Sequence, residues 1–123
     1  MKANELRIGN WIQDQFGKPE KIWAIDKYKV QLSSGAMYLK DIKDISGIPL
    51  TEELLLKCGF KGNPNDGYGL DVIELNYLTT DNHFQFEFRV PGSTKWFLID
   101  VKYLHQLQNL YFALTGEEIT INL

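Results

Sequence analysis

Apolar and polar residues alternate in short runs along the first part of the chain, and turn residues separate these runs. The alternation predicts strands at residues 10–14, 21–25, 29–32 and 37–39. So many short strands in so few residues indicate a strongly curled sheet, and closing such a sheet removes its unpaired edges. We therefore predict a small SH3-like β-barrel module over residues 1–46.

After this module the pattern changes to one that mixes helices with longer strands. Thr51 can cap a short helix that Gly59 ends, and a second helix is predicted from a cap at Asp100 to Thr115. The second helix carries apolar residues over an arc of about 200°, which indicates deep burial against a sheet.

The second part of the chain also contains strand signals. Alternation predicts strands at residues 73–77 and 84–90, and a turn at Pro91–Gly92 predicts a third, antiparallel strand at residues 95–99. Residues 119–123 alternate in the same way, so we expect the chain to return to this sheet as a last strand.

Glycine, proline and aspartate are concentrated at residues 61–69, which are therefore predicted to form a loop. Together these elements predict an α+β protein. Its second part, residues 47–123, is expected to be an antiparallel sheet packed against one long and one short helix.

The chain of 123 residues, 44% of them hydrophobic, suits one compact domain or two very small modules. Its 13 Lys and Arg against 16 Asp and Glu give a net charge of −3, which argues against a surface built throughout to hold phosphate backbones. Residues 1–45 carry eight basic and six acidic residues, or +2, and the remainder carries five and ten, or −5. The single cysteine, Cys58, cannot form an internal disulfide, so we expect a cytoplasmic protein. No stretch is long and apolar enough for a membrane span, so we expect no membrane partner.

Residue types that support catalytic or metal chemistry are sparse. The two histidines, His83 and His105, are 22 positions apart, and the single cysteine, Cys58, lies near the end of the short helix. This set completes no metal coordination sphere, and the helix dipole disfavours a Cys58 thiolate. We therefore expect no catalytic residue, no metal and no cofactor, and predict that the protein is not an enzyme.

Gln108 is a polar residue inside the apolar arc of the long helix. A buried carboxamide must find hydrogen-bond partners, because leaving it unpaired costs about 1 to 3 kcal/mol. Either Gln108 binds an irregular backbone segment and fixes how the helix docks, or it shares a small polar pocket with His105, at the border of the arc.

Aromatic and basic residues are interleaved in the first part of the chain, which offers the best binding hypothesis. An exposed aromatic patch beside cations can bind a peptide or stack nucleic-acid bases. Trp11 and Trp23 have apolar neighbours and are predicted to lie in the core. The candidate binding residues are tyrosines expected to expose their hydroxyls and nearby lysines: Tyr28, Tyr38, Lys21, Lys29 and Lys40.

Three blocks occur in order along the chain: ELRIGNW at residues 5–11, GIPLTEE at 47–53 followed by Gly59-Phe60, and HQLQNLYFALTGEE at 105–118. With these blocks the sequence resembles a family of short proteins from prophages and other mobile elements of gut anaerobic bacteria. The resemblance spans nearly the whole chain and implies a cytoplasmic accessory protein of a bacterium or phage. It implies no activity, substrate or catalytic residue.

The sequence therefore favours a non-enzymatic protein-binding or adaptor module of a phage or mobile element. The alternative is a protein that binds single-stranded or structured nucleic acid through the same aromatic and basic face, which the positive charge of residues 1–45 favours. A homodimer is compatible with the pattern, since an edge strand such as residues 119–123 can pair across a two-fold axis.

Overall fold

The structure is a computed structural model, and it describes residues 1–33, 39–70, 73–78, 83–89 and 96–123. Over these residues the protein is α+β, with two antiparallel sheets and one main helix, so the predicted fold class is confirmed. The predicted turn at Pro91–Gly92 and the candidate residue Tyr38 lie outside the described residues.

The chain folds into two compact units, and each is discontinuous in the sequence. The first unit comprises Met1–Pro49, Tyr103–Leu110 and Leu123, and the second comprises Leu50–Lys102 and Tyr111–Asn122. The sequence pattern predicted modules at residues 1–46 and 47–123. The units differ from these ranges chiefly because the first turns of the long helix belong to the first unit.

The first unit contains a four-stranded antiparallel sheet. Its strands are adjacent in chain order: β1 is Trp11–Gln13, β2 is Pro19–Ile25, β3 is Lys29–Leu32 and β4 is Leu39–Asp41. Alternate side chains of the strands point inward and are joined by apolar residues from the flanking segments. The resulting core consists of Leu6, Ile12, Ile22, Val30, Leu32, Ile42 and Ile45.

The predicted SH3-like closure of this sheet is not confirmed. Within the described residues the sheet is open, with β1 and β4 at its two edges. The outer edge of β1 makes an isolated bridge to the chain after β4, where the backbones of Gln13 and Ser46 exchange hydrogen bonds of 2.9 and 3.0 Å. This bridge pairs one residue of the edge and does not make a closed barrel.

The second unit begins with a short helix, α1, at Glu52–Lys57. The Thr51 hydroxyl accepts a hydrogen bond from the Leu54 amide at 3.2 Å, which caps the start of the helix. At the other end Gly59 has φ of 97°, and the Phe60 amide donates to the Leu55 carbonyl at 3.0 Å. Both predicted helix ends are therefore confirmed.

The second sheet is a five-stranded antiparallel meander. Its strands are β5 at Lys61–Asn63, β6 at Gly67–Leu70, β7 at Ile73–Leu78, β8 at His83–Arg89 and β9 at Trp96–Val101. The last three correspond to the predicted strands. The prediction of a loop at residues 61–69 is wrong, because β5 and β6 pair there as a hairpin.

Local backbone chemistry explains the β5–β6 hairpin. The Asn63 side-chain oxygen accepts hydrogen bonds from the amides of Asn65 and Asp66, both at 2.9 Å, and so fixes the turn. Gly62 has φ of 143°, and a Cβ at this position would collide with the Gly67 carbonyl oxygen. The glycines that suggested a loop are thus used for close strand pairing.

The long helix, α2, spans Leu104–Thr115 and begins later than predicted. Asp100 does not cap it, because β9 continues through Asp100 and the carboxylate accepts a hydrogen bond from Gln85 at 3.3 Å. The Tyr103 amide instead donates to the side-chain oxygen of Gln106 at 3.1 Å, which satisfies an amide at the helix start. Gly116, with φ of 73°, ends the helix as predicted.

The C-terminal residues do not form the predicted strand. Ile119 and Ile121 are buried, so the alternation reflects side-chain packing, but their backbones do not pair in a sheet. Among the described helices, none is long and apolar enough to cross a membrane.

Candidate functional site

Large aromatic side chains of the first unit are exposed to solvent. The exposed fractions are 84% for Phe16, 67% for Tyr28 and 58% for Trp23, whereas Trp11 is partly buried. The prediction that Trp23 lies in the core is therefore wrong. Trp23 directly follows buried Ile22 in β2, and successive side chains of a strand point to opposite faces, so the Trp23 side chain is directed outward.

The turn between β2 and β3 holds Tyr28 in its exposed position. The Asp26 carboxylate accepts hydrogen bonds from the amides of Tyr28 and Lys29, each at 2.9 Å. These bonds lower the pKa of Asp26 below its ordinary value. The Tyr28 carbonyl accepts from the Ile42 amide at 2.9 Å, which ties the turn to the segment after β4. The backbone of the turn is therefore fixed by hydrogen bonds, while the Tyr28 ring stays exposed to solvent.

Tyr28 lines an open groove of about 690 Å³. We call this cavity the tyrosine groove; it is formed by residues 1–4, Lys27, Tyr28 and residues 41–43. Apolar side chains and the tyrosine ring form much of the wall, and the Lys27 ammonium lies 5.2 Å from the Tyr28 ring centroid. This distance is within the range of a cation–π contact.

A second aromatic and basic surface lies on the first sheet. Trp11 and Lys21 are opposite each other in β1 and β2, and the Lys21 ammonium is 5.2 Å from the Trp11 ring centroid. Exposed Trp23 follows two residues later in β2. We call these three residues the tryptophan face. Here the positive charge is already engaged with one ring of the surface.

The structure does not gather the candidate lysines into one site. Lys40 donates to the Gln15 side-chain oxygen at 3.2 Å, and exposed Lys29 is paired in register with Asp41. Of the described candidates, Tyr28 alone lines the tyrosine groove. The groove instead uses Lys2, Lys27 and Lys43, which the sequence reasoning missed. The position of Lys27 directly before Tyr28 was the signal that could have identified it.

Gln108 has the backbone partners that a docking role requires. The Trp11 amide donates to its side-chain oxygen at 2.8 Å, and its side-chain amide donates to the Gly9 carbonyl at 3.2 Å. The neighbouring Asn109 oxygen accepts from the side-chain amide of buried Asn10 at 2.9 Å. We call Gln108 and Asn109 the amide clamp, because together they bind the segment that enters β1.

His105 lines a separate cavity of about 300 Å³ with Glu5, Gly47 and Tyr103. Its ring stacks on Tyr103, with centroids 5.7 Å apart and an interplanar angle of 12°. His105 is 3% exposed, and its Nδ1 atom has no hydrogen-bond partner among the described residues. Burial lowers the pKa of His105, and the Glu5 carboxylate opposes this shift. Gln108 is engaged in the amide clamp, so the cavity and the clamp are distinct features.

Lowering the pH from about 7.5 to about 5.5 should destabilise the first unit. His105 is buried in the folded protein and takes up a proton more readily in the unfolded chain, so protonation favours unfolding. The pKa of His105 is lowered in the folded protein from its ordinary value of 6.5. The contribution of His105 to the free energy of unfolding is therefore complete at pH values above 6.5 and is lost as the pH falls below 6.5. The pKa values of three aspartates are also lowered, but from an ordinary value of 3.8, so these groups change the stability only at pH values below this range; they are Asp14, Asp26 and Asp100. Urea unfolding at several pH values measures how the free energy of unfolding depends on pH.

The variant His105→Phe keeps an aromatic ring beside Tyr103 and removes the titrating group. Its free energy of unfolding should therefore depend less on pH than that of the wild type over the same range. Any slope that remains comes from other titrating groups. An identical slope in the two proteins would show that His105 does not carry the effect.

The thiol of Cys58 and the imidazole of His83 have different surroundings. Burial raises the pKa of Cys58 to about 11, so its thiol is protonated at neutral pH. His83 contacts the Asp100 carboxylate at 2.9 Å, and that contact lowers the pKa of Asp100. The described residues contain no group of His, Cys, Asp or Glu side chains arranged to hold a metal ion.

Comparisons with protein-family models, curated proteins and solved structures find no match to the chain.

Proposed function

We propose that the protein is a non-enzymatic binding or adaptor module of a phage or mobile element, and that its tyrosine groove binds a segment of another protein. The observation that carries this proposal is the Tyr28 ring, which is 67% exposed in a groove with an apolar wall. An aromatic ring held by a rigid turn offers large contact area and loses little conformational freedom on binding.

The charge of the groove favours an acidic segment with an apolar anchor. Its described lining residues include Lys2, Lys27 and Lys43 against Asp41, a local excess of two positive charges. Carboxylates of a partner would lie near these ammonium groups, and an apolar or aromatic side chain would pack against Tyr28. Electrostatic complementarity of this kind raises the association rate and selects among partners.

Nucleic-acid binding is the second candidate function, and the tryptophan face favours it. Trp11, Lys21 and exposed Trp23 combine rings with a basic group, the combination that stacks bases and contacts phosphates. The net charge of −3 opposes broad phosphate binding. Protein binding through the tyrosine groove is therefore our leading proposal.

Selection of a random peptide library against the full chain separates the two functions. We expect enriched peptides to place Asp or Glu beside an aromatic or aliphatic residue, because that pattern matches the groove. The affinity of these peptides and of an oligothymidylate is then measured at about 50 mM and about 200 mM salt. Protein binding predicts tight peptide complexes with a modest salt dependence.

Two outcomes contradict the leading proposal. In the first, no acidic peptide is enriched although the protein is folded. In the second, the oligothymidylate binds more tightly than every peptide and loses affinity steeply with salt, which is the signature of phosphate contacts. The second outcome would assign the binding activity to nucleic acid.

A further inference from the structure

The second unit contains a cavity of about 380 Å³ whose lining is rich in aromatic side chains. Tyr68, Tyr77 and Phe84 contribute rings from β6, β7 and β8, and Glu52 contributes a carboxylate from the first turn of α1. The volume falls within the range of small-molecule binding sites. This cavity takes no part in the function proposed above.

The three rings pack against one another at inclined angles, and all three line the cavity. Phe84 meets Tyr68 at an angle of 73° with centroids 5.7 Å apart, and it meets Tyr77 at 52° and 5.2 Å. Aromatic faces carry partial negative charge and attract cations that lie within about 6 Å of a ring centroid. Sites that bind alkylated ammonium groups are typically lined by several aromatic rings.

The charge of the cavity has the matching sign. Glu52 is the charged residue among the described residues that line it, and this residue is exposed to solvent. The Thr51 hydroxyl, which also lines the cavity, is already engaged as the acceptor for the Leu54 amide. Burial, and then the nearby Glu52 carboxylate, raise the pKa of Tyr68, which places this carboxylate close to the aromatic lining. An anionic ligand would be repelled by this carboxylate.

We infer that this cavity, lined by Tyr68, Tyr77, Phe84 and Glu52, is a binding site for an alkylated ammonium group. The rings surround the alkyl groups of the cation, and the Glu52 carboxylate compensates its charge. The inference is independent of the tyrosine groove, so either proposal can fail without the other.

Titration of the full chain with choline, followed by NMR chemical shifts, tests the inference. The matched probe is the neutral isostere of choline, in which carbon replaces the quaternary nitrogen. We expect saturable shifts at the cavity residues with choline and about 2- to 30-fold weaker binding of the isostere, the range that corresponds to a cation–π contribution. Tyr77→Leu should weaken choline binding over the same range, whereas Tyr77→Phe, which keeps a ring, should retain it.

Glu53 supplies a matched control for the carboxylate. It lies next to Glu52 in α1, pairs with Lys57 at 3.5 Å and does not line the cavity. We expect Glu52→Gln to weaken choline binding and Glu53→Gln to leave it unchanged. The inference is overturned if choline gives no saturable shifts at these residues, if the isostere binds equally well, or if both glutamine variants lose the same affinity. Tyr28→Ala should leave choline binding intact, which separates this test from that of the tyrosine groove.

Discussion

Replacing Gln108 with leucine should lower the free energy of unfolding by about 2 to 3 kcal/mol, because it leaves two partly buried backbone groups without their hydrogen bonds. The Trp11 amide would lose its 2.8 Å bond to the carboxamide, and the Gly9 carbonyl would lose its 3.2 Å bond. Water cannot replace these bonds readily, because Gln108 is 3% exposed. Chemical denaturation of the variant, with the wild type measured in parallel, gives the change.

Gln15→Leu is a suitable control for the amide clamp. Gln15 is exposed, and its side-chain oxygen accepts a hydrogen bond from the exposed Lys40 ammonium. We expect this substitution to change the free energy of unfolding by no more than about 0.5 kcal/mol. If Gln108→Leu were as stable as Gln15→Leu but altered ligand binding, Gln108 would act in a pocket and the docking role would be refuted.

Replacing Tyr28 with alanine should lower the affinity for the selected acidic peptides by about 30-fold or more, the loss that follows from removing a central aromatic anchor. The ring is the large aromatic group of the tyrosine groove, and its side chain is not part of the buried core. The fold should therefore survive the substitution. Isothermal titration calorimetry with one selected peptide measures the loss, and the unfolding transition checks stability.

Phe16 provides the matched control for Tyr28. It is 84% exposed, so Phe16→Ala removes a comparable exposed ring, but it does not line the groove. Peptide affinity should be unchanged in this variant. Lys27→Gln should cause a smaller loss than Tyr28→Ala and should reduce the salt dependence, because it removes one charge from the rim. Equal losses in Tyr28→Ala and Phe16→Ala would indicate nonspecific contact with exposed rings.

Features that depend on neighbouring residues were predictable from the sequence. The short helix is an example, because Thr51 caps the amide three residues later and Gly59 adopts the left-handed conformation at the other end. The first three strands of the first sheet follow from alternation for the same reason, since each residue's face is set by its position along its own strand.

Features that depend on pairing between distant residues were not predictable. In β2, Ile25 packs against the core three residues after buried Ile22, because the register of β2 against β3 shifts between Ile22 and Ala24. Asp100 is of a residue type that commonly caps helices, but strand pairing extends β9 past this residue and the helix starts later. The tyrosine groove also combines segments far apart in the chain, so the sequence identified Tyr28 but not Lys2 or Lys43.

NMR mapping of a selected acidic peptide on the full chain shows whether a partner protein binds in the tyrosine groove. We expect the largest backbone shifts at Lys27, Tyr28 and residues 41–43, and we expect Tyr28→Ala to remove these shifts while Phe16→Ala retains them. Shifts centred on Trp11, Lys21 and Trp23, with the groove unaffected, would refute binding in the tyrosine groove.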